Sequence, residues 1–369
     1  MRVLVVRTSA LGDVVLTTPF LRDLANHVGG PVEVLTSPPY AILLDGLPFV
    51  SRVWSFDPER GIGVMARALA EAGPFDLAVD LQNKARTLAL LLRLPAKERR
   101  RLVKRKGLGG AIGSLFGGGP VLHEAPAAAL YYETLADRGV SPSSLRPQVA
   151  VHPDARAAAE KVLARARGAP IVGLAPGARW PMKKWTPEGF AQVGAALQAE
   201  GAEILLVGGP HDRAEIDRIL GMLPRPALGE TTALGLADLA AFLAGIDLLV
   251  SVDSGPAHLA QAVGTPVVSL FGPTSYRRWG PAEGMGGVVA LPMACSPCTN
   301  YGKGSCAFGD RACMEALPPD TVVEVAAAAL RAGRAEGGRA AAEEAARHLL
   351  DLAEVVARME RPWKMGRGA

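Results

Sequence analysis

Gly12 and Asp13 close the run Arg7, Thr8, Ser9, Ala10, Leu11, which leaves a short apolar strand at residues 3–6 and opens a helix. Gly12 lets the backbone turn without a side chain, and Asp13 falls at the helix N-terminus. A plain capping aspartate would look the same. At the carboxyl end of a first strand, though, the carboxylate is placed to face a ligand cleft and act as general base. Asp253, Ser254, Gly255, Pro256, Ala257 and His258 follow a second strand at 248–251. Ser254 suits an N-cap, Gly255 close backbone approach and Pro256 the first helical turn. The amides of Gly255, Ala257 and His258 would then point out of a helix start and form an anion site for a diphosphate.

A third stretch, residues 175–185 (APGARWPMKKW), leaves another strand. Gly177 gives backbone access, and Lys183 or Lys184 supplies a point charge for phosphate. A solvated loop with stray lysines is the bland reading of the same residues. Glu230, in the run GETT, stands where a ribose or base could be held. The turns at 207–210 and 271–274 line the same rim. In the front half, residues 80–86 end a strand, and Gln82, Lys84 and Arg86 suit an anionic sugar acceptor.

Cys295, Cys298, Cys306 and Cys313 fall within one short loop. Four thiols at such spacing are compatible with a structural zinc site, with disulfides or with free thiols. The chemistry at Asp13 requires no such metal. Several familiar sites are absent: no GxGxxG follows the first strand, and there is no GxxxxGK[ST], HExxH or GxSxG. Dehydrogenase, P-loop kinase, zinc protease and α/β-hydrolase readings lose their main support.

These residues need a frame that gathers strand ends. Strands expected at 3–6, 32–35 and 77–81 alternate with helices at 13–26 and 64–71. After Pro147 the alternation restarts, with a helix at 154–167 capped by Asp154 and strands at 171–175, 204–207, 248–251 and 267–271. Alternation of this kind implies two α/β domains, each a doubly wound parallel sheet. The expected domains are 1–150 and 151–335, which the family resemblance given below makes acceptor-binding and donor-binding. An Ala/Glu/Arg-rich helix at about 340–361 would pack back on the first. The chain has 369 residues, comfortable for two such domains.

A net charge of +4 is small, but residues 97–106 (KERRRLVKRK) are densely basic and precede a glycine-rich apolar stretch at 107–119. One local patch with few aromatics speaks against a nucleic-acid binder. It suits contact of Arg99, Arg100 and Arg101 with anionic lipid or glycan at the inner face of the cytoplasmic membrane, or simply a solvated basic face. With no leader-like segment and no membrane span, a cytoplasmic enzyme is expected.

The stretch 7–19, the PGA…KKW loop and the block 253–274 (DSGPAHLA…GTPVVSLFGPT) together resemble the bacterial heptosyltransferases of glycosyltransferase family 9, over roughly residues 1–335. That resemblance implies a GT-B architecture, with two Rossmann-like domains facing across a cleft. It also implies an ADP-heptose donor on the C-terminal domain, and an inverting, metal-independent transfer to a lipopolysaccharide-core or other cell-envelope glycan. By the same resemblance Asp13 is the base, Lys183 or Lys184 the phosphate lysine, and 253–258 the donor-diphosphate turn. Rival readings are a UDP-sugar 2-epimerase of the same fold and a non-catalytic nucleotide- or glycan-binding protein. The latter would need no carboxylate at residue 13.

Overall fold

The computed structural model describes residues 1–102 and 124–334. The helix expected at 340–361, residues 103–106 of the basic run and the glycine-rich stretch lie outside them.

Two separate parallel sheets form. The first contains β1 (Val3–Val6), β2 (Val32–Thr36), β3 (Val50–Ser55), β4 (Phe75–Asp80) and β5 (Ala96–Arg101), in the order β3-β2-β1-β4-β5. The second contains β6 (Ile171–Ala175), β7 (Glu203–Leu206), β8 (Gly229–Glu230), β9 (Leu248–Val252), β10 (Val267–Phe271) and β11 (Gly286–Ala290), in the order β11-β10-β9-β6-β7-β8. Central strands such as β1, β6, β9 and β10 are buried at every residue. That is why their sequences are continuous apolar runs: helices cover both faces of a parallel sheet.

The strand orders dictate where a ligand can sit. In the first sheet the winding reverses between β1 and β4, which pair Val6 with Asp80. In the second it reverses between β6 and β9, which pair Ala175 with Ser251. Ligands of doubly wound sheets bind in the crevice beyond the strand ends at such a switch point. The loops that leave those four strands are the ones beginning at Arg7, Leu81, Pro176 and Asp253.

Three expectations about local structure change. The helix expected at 13–26 is two helices, Leu11–Val15 and Thr18–Val28. Pro19 has no N–H to give and belongs in a first turn, so the chain starts a second helix there. Asp154 is not the cap of its helix; His152 holds that position and Pro153 opens the first turn. β5 runs through the basic residues, which alternate as a partly exposed edge strand. The polar outer positions of β3 and β5 hide them from an apolar-run reading.

The described part of the basic run is also not a free basic face. Arg101 Nε pairs with the buried Asp80 at 3.2 Å, Arg100 with Glu98 and Asp137, and Arg99 donates to the carbonyls of Leu91 and Leu94. Among the described residues no helix is long and apolar enough to cross a membrane.

Helix Pro38–Leu44 of the first half packs on helix Leu236–Ala244 of the second, and a second helix pair meets at the strand ends. Helix Leu11–Val15, from the first, packs on helix Gly255–Ala262, from the second. A Cβ on Gly255 would fall 2.8 Å from Leu11 Cδ2, and one on Gly12 would fall 2.6 Å from His258 Cδ2. Both glycines are required by this close approach rather than by an unusual backbone.

Candidate active site

Between the domains lies a cleft of about 380 Å³, into which all four switch-point loops run. On the N-terminal side β1 delivers Arg7, which is buried. Its Nη1 donates to the carbonyl of Leu81 at 2.5 Å and its Nη2 pairs with Asp13 Oδ1 at 2.6 Å. The phenol of Tyr131 donates toward the same carboxylate oxygen at 3.5 Å, and the guanidinium of Arg7 lies 5.5 Å from the Tyr131 ring centre. Burial, chiefly, pushes the Tyr131 pKa far above its usual value, so this hydroxyl remains protonated and a donor. Burial alone would lower the Arg7 pKa, but Tyr131 and Asp13 outweigh it and raise it. Asp13 is thus fixed from one side and open to the cleft on the other, with its side chain 25% exposed. A carboxylate so placed can accept a proton from a hydroxyl in the cleft.

Gln82 also lines the cleft, but its amide is committed. Oε1 accepts from the backbone N–H groups of Thr8 and Ser9 at 3.0 and 3.1 Å, and Nε2 donates to Ser9 Oγ. Instead of offering that amide to an acceptor, it braces the loop that leads to Asp13. Gln82 is itself set by Asp80, fully buried at the end of β4. That carboxylate accepts from the amides of Gln82 and Asn83 at 2.9 and 3.1 Å and from Thr87 Oγ1 at 2.9 Å. Lys84 faces the cleft; Arg86 is exposed on the following helix and does not line it.

On the opposite wall, Lys183 Nζ pairs with Asp253 Oδ2 at 3.1 Å, and Thr274 Oγ1 donates to that same oxygen at 2.7 Å. Lys184 turns away to Glu215. Of the two lysines the structure therefore brings only Lys183 into the cleft. The helix after β9 begins at Gly255, so the amides of Gly255 and Ala257 precede its first internal bond. That of His258 closes the first turn and is not a spare donor. Ser254 holds the N-cap position, flanked by Pro256 in the first turn, yet its hydroxyl is bonded to Ser251 Oγ at 3.0 Å and makes no cap bond. His258 is buried against Gly12; burial lowers its pKa, leaving a neutral imidazole whose Nδ1 has no hydrogen-bond partner among the described residues.

Besides Lys184, the expected donor residues Gly177, Glu230 and Pro256 lie off the cleft lining. The missing side chain of Gly177 makes room for the carboxylate of Asp212, 2.2 Å from where a Cβ would stand. Glu230, at the end of β8, pairs with Arg213 at 3.0 Å and accepts from the amide of Thr232.

The cysteines are four free thiols. Burial first, then its neighbours Cys298, Cys295 and Cys306, push Cys313 up to about 11. Among the described residues, however, no group of three or more His, Cys, Asp or Glu is arranged to hold a metal ion. Nor are the four cysteines joined as disulfides.

Arg179, Trp180, Trp279, Tyr301 and Lys303 line the cleft without having been singled out by the sequence. Arg179 and Trp180 belong to the 175–185 loop and were legible by position. Tyr301 and Lys303 sit among the cysteines, with no motif of their own to mark them. In total Arg7, Lys84, Arg179, Lys183 and Lys303 face Asp13 and Asp253. That excess of positive charge suits an anionic ligand.

Comparison with known proteins agrees with this geometry. The profile of "Glycosyltransferase family 9 (heptosyltransferase)" matches residues 64–305. Lipopolysaccharide heptosyltransferase 3 of Escherichia coli K12 is 38% identical over 113 residues, 30% of this chain and 33% of that protein, so the match spans about a third of the relative's length. Two solved structures share the fold across both domains. A family 9 glycosyl transferase from Veillonella parvula has a TM-score of 0.75 at 22% identity, covering 89% of this chain and 97% of the other. The E. coli ADP-heptose LPS heptosyltransferase II has a TM-score of 0.70 at 20% identity, covering 90% and 99%. With two doubly wound sheets in the GT-B arrangement and a family match over most of its length, this chain belongs to glycosyltransferase family 9.

Proposed function

We propose that the protein is an inverting glycosyltransferase that moves a heptose from ADP-heptose to an anionic cell-envelope glycan of the lipopolysaccharide-core type, without a catalytic metal. The observation that carries this reading is the opposition of Asp13, on one wall of the cleft, to Lys183 and the helix start at Gly255 on the other. The solved E. coli relative named for ADP-heptose supports the choice of donor.

The chemistry follows from that opposition. An acceptor hydroxyl attacks the anomeric carbon of the donor sugar while its proton passes to the Asp13 carboxylate. The bond from that carbon to the β-phosphate oxygen breaks, and its electron pair leaves on the nucleoside diphosphate. Lys183 and the helix N–H groups stabilise the charge that develops there. Attack from the Asp13 side, opposite the leaving group, inverts the anomeric centre. Lys84 and Lys303 supply positive charge for an anionic acceptor at the mouth of the cleft.

Asp13→Asn tests the reading directly. Transfer from ADP-heptose, followed by product mass, should fall by about 10²–10⁴-fold, while ADP binding measured by calorimetry stays as in the wild type. Unchanged turnover would leave a nucleotide-binding protein in place of a transferase. NMR of the product linkage reports whether the anomeric centre inverts, and activity in excess EDTA tests metal independence.

A further inference from the structure

The loop that carries the four cysteines touches the turn bearing Lys183 at two points. Gly302 has a φ of 78°, and a Cβ there would fall 2.5 Å from Lys183 Cγ and 2.8 Å from its Cδ. At the other end of the loop, Arg311 Nη1 donates to the carbonyls of Pro181 at 2.6 Å and Lys184 at 3.4 Å, one on either side of Lys183. Arg311 is itself held by Glu315, one helical turn on. The loop is anchored to the base of the cleft. The amides of Cys298 and Thr299 both donate to the carbonyl of Pro273 at 3.0 Å, and Trp279 Nε1 donates to the carbonyl of Asn300 at 2.8 Å. The rings of Trp279 and Tyr301 lie 5.8 Å apart, and both line the cleft alongside Lys183.

A lysine is a point charge on a long flexible stem, so a single ion pair does not fix where its ammonium stands. Here Asp253 draws the ammonium from one side. Gly302 walls the middle of the stem, and Arg311 clamps the backbone on which the stem is mounted. Only a residue without a Cβ can lie so close to the stem.

We infer that the four-cysteine loop is a positioning element for Lys183, acting through Gly302 and Arg311, and that it governs affinity for the donor diphosphate rather than proton transfer at Asp13. This rests on Lys183 being the diphosphate ligand. It gives the loop a task in the cleft that needs no metal among its thiols, because the contacts run through a glycine and an arginine.

The test uses the full-length chain, ADP calorimetry and steady-state transfer. Gly302→Asn keeps a residue type that tolerates positive φ but adds the colliding Cβ; Gly302→Ala adds strain as well. Both, and Arg311→Ala, should weaken ADP binding by about tenfold or more and raise KM for the donor, with kcat at saturating donor changed much less. Arg311→Lys should recover part of the loss. In a Lys183→Ala background, adding Gly302→Asn should cost nothing further, since the stem it strikes is gone.

If the Gly302→Asn loss persists undiminished in that background, the glycine acts through the loop's own fold and the inference is overturned. A wild type that binds ADP and weakens with Lys183→Ala, while Gly302→Asn and Arg311→Ala bind normally, removes the loop's role alone. Lys183→Ala binding ADP as tightly as the wild type would overturn the donor-site reading and this inference together.

Discussion

The imidazole of His258 lies where a side chain on Gly12 would have to be: a Cβ built at residue 12 falls 2.6 Å from His258 Cδ2. One residue belongs to the helix that presents Asp13 and the other to the helix that opens at Gly255 on the opposite wall of the cleft. The two halves of the site are therefore set against each other through a contact with no spare room. Gly12→Ala should push the helices apart, destabilise the protein by about 1–3 kcal/mol and reduce kcat. Thermal unfolding and transfer rates check both, and a second change, His258→Ala, should return part of the lost stability by clearing the space. Full wild-type activity and stability in Gly12→Ala alone would show the interface to be loose.

Arg7 holds Asp13 by one nitrogen and the Leu81 carbonyl by another. Arg7→Ala should release the carboxylate from its orientation and lower kcat by about 10–100-fold, the scale expected when a reacting group is misplaced. The Kd for ADP should not move, because Arg7 lies on the other wall. Arg7→Lys keeps the charge but cannot make both contacts in the same geometry, so intermediate rates are expected.

His258 gives the protein a pH dependence of defined sign. Burial holds its native pKa below the ordinary 6.5 that the unfolded chain has. Above that value both states are neutral and the contribution to stability is fully present. As pH falls through 6.5 toward the native value, the unfolded chain takes up a proton that the native imidazole refuses, and stability is lost by up to about 1.4 kcal/mol per pH unit. Urea unfolding between pH 8 and 5 should show a shallower decline in His258→Gln than in the wild type. Parallel curves would refute the linkage.

Asp80 never reaches the cleft, yet the base loop hangs on it. Replacing it by alanine strands the buried amide of Gln82 and takes one partner each from the Thr87 hydroxyl and Arg101. A loss of about 2–5 kcal/mol is expected. Asp80→Asn, which retains one acceptor oxygen, should lose less. Chemical denaturation measures both, and a variant Asp80→Ala as stable as the wild type would mean that the loop is held by Gln82 alone.

How much of this was legible depended on how local each feature is. β6 and β10 were readable to the residue, because a fully buried strand must be an unbroken apolar run bounded by turn residues. β3 and β5 were not, because an edge strand with a wet face carries arginine and glutamate wherever packing allows. The same split runs through the site. Asp13, Asp253 and Lys183 stand just beyond strands at the two points where the winding reverses, so position along the chain was enough to nominate them.

Tertiary structure decided what the local pattern left equal. Lys183 and Lys184 are neighbours with identical chemistry, and only their opposite directions from the turn send one to Asp253 and the other to Glu215. Tyr131 reaches Asp13 across 118 positions of sequence, and Gly302 meets Lys183 from a loop that seemed to exist for its thiols. Strand ends and helix starts are written by residues adjacent in the chain, which is why sequence alone could nominate Asp13 and the turn at 253–258. Contacts between elements far apart in the chain depend on how whole helices and loops stack, and that is settled by the summed packing of many side chains rather than by any short run of residues.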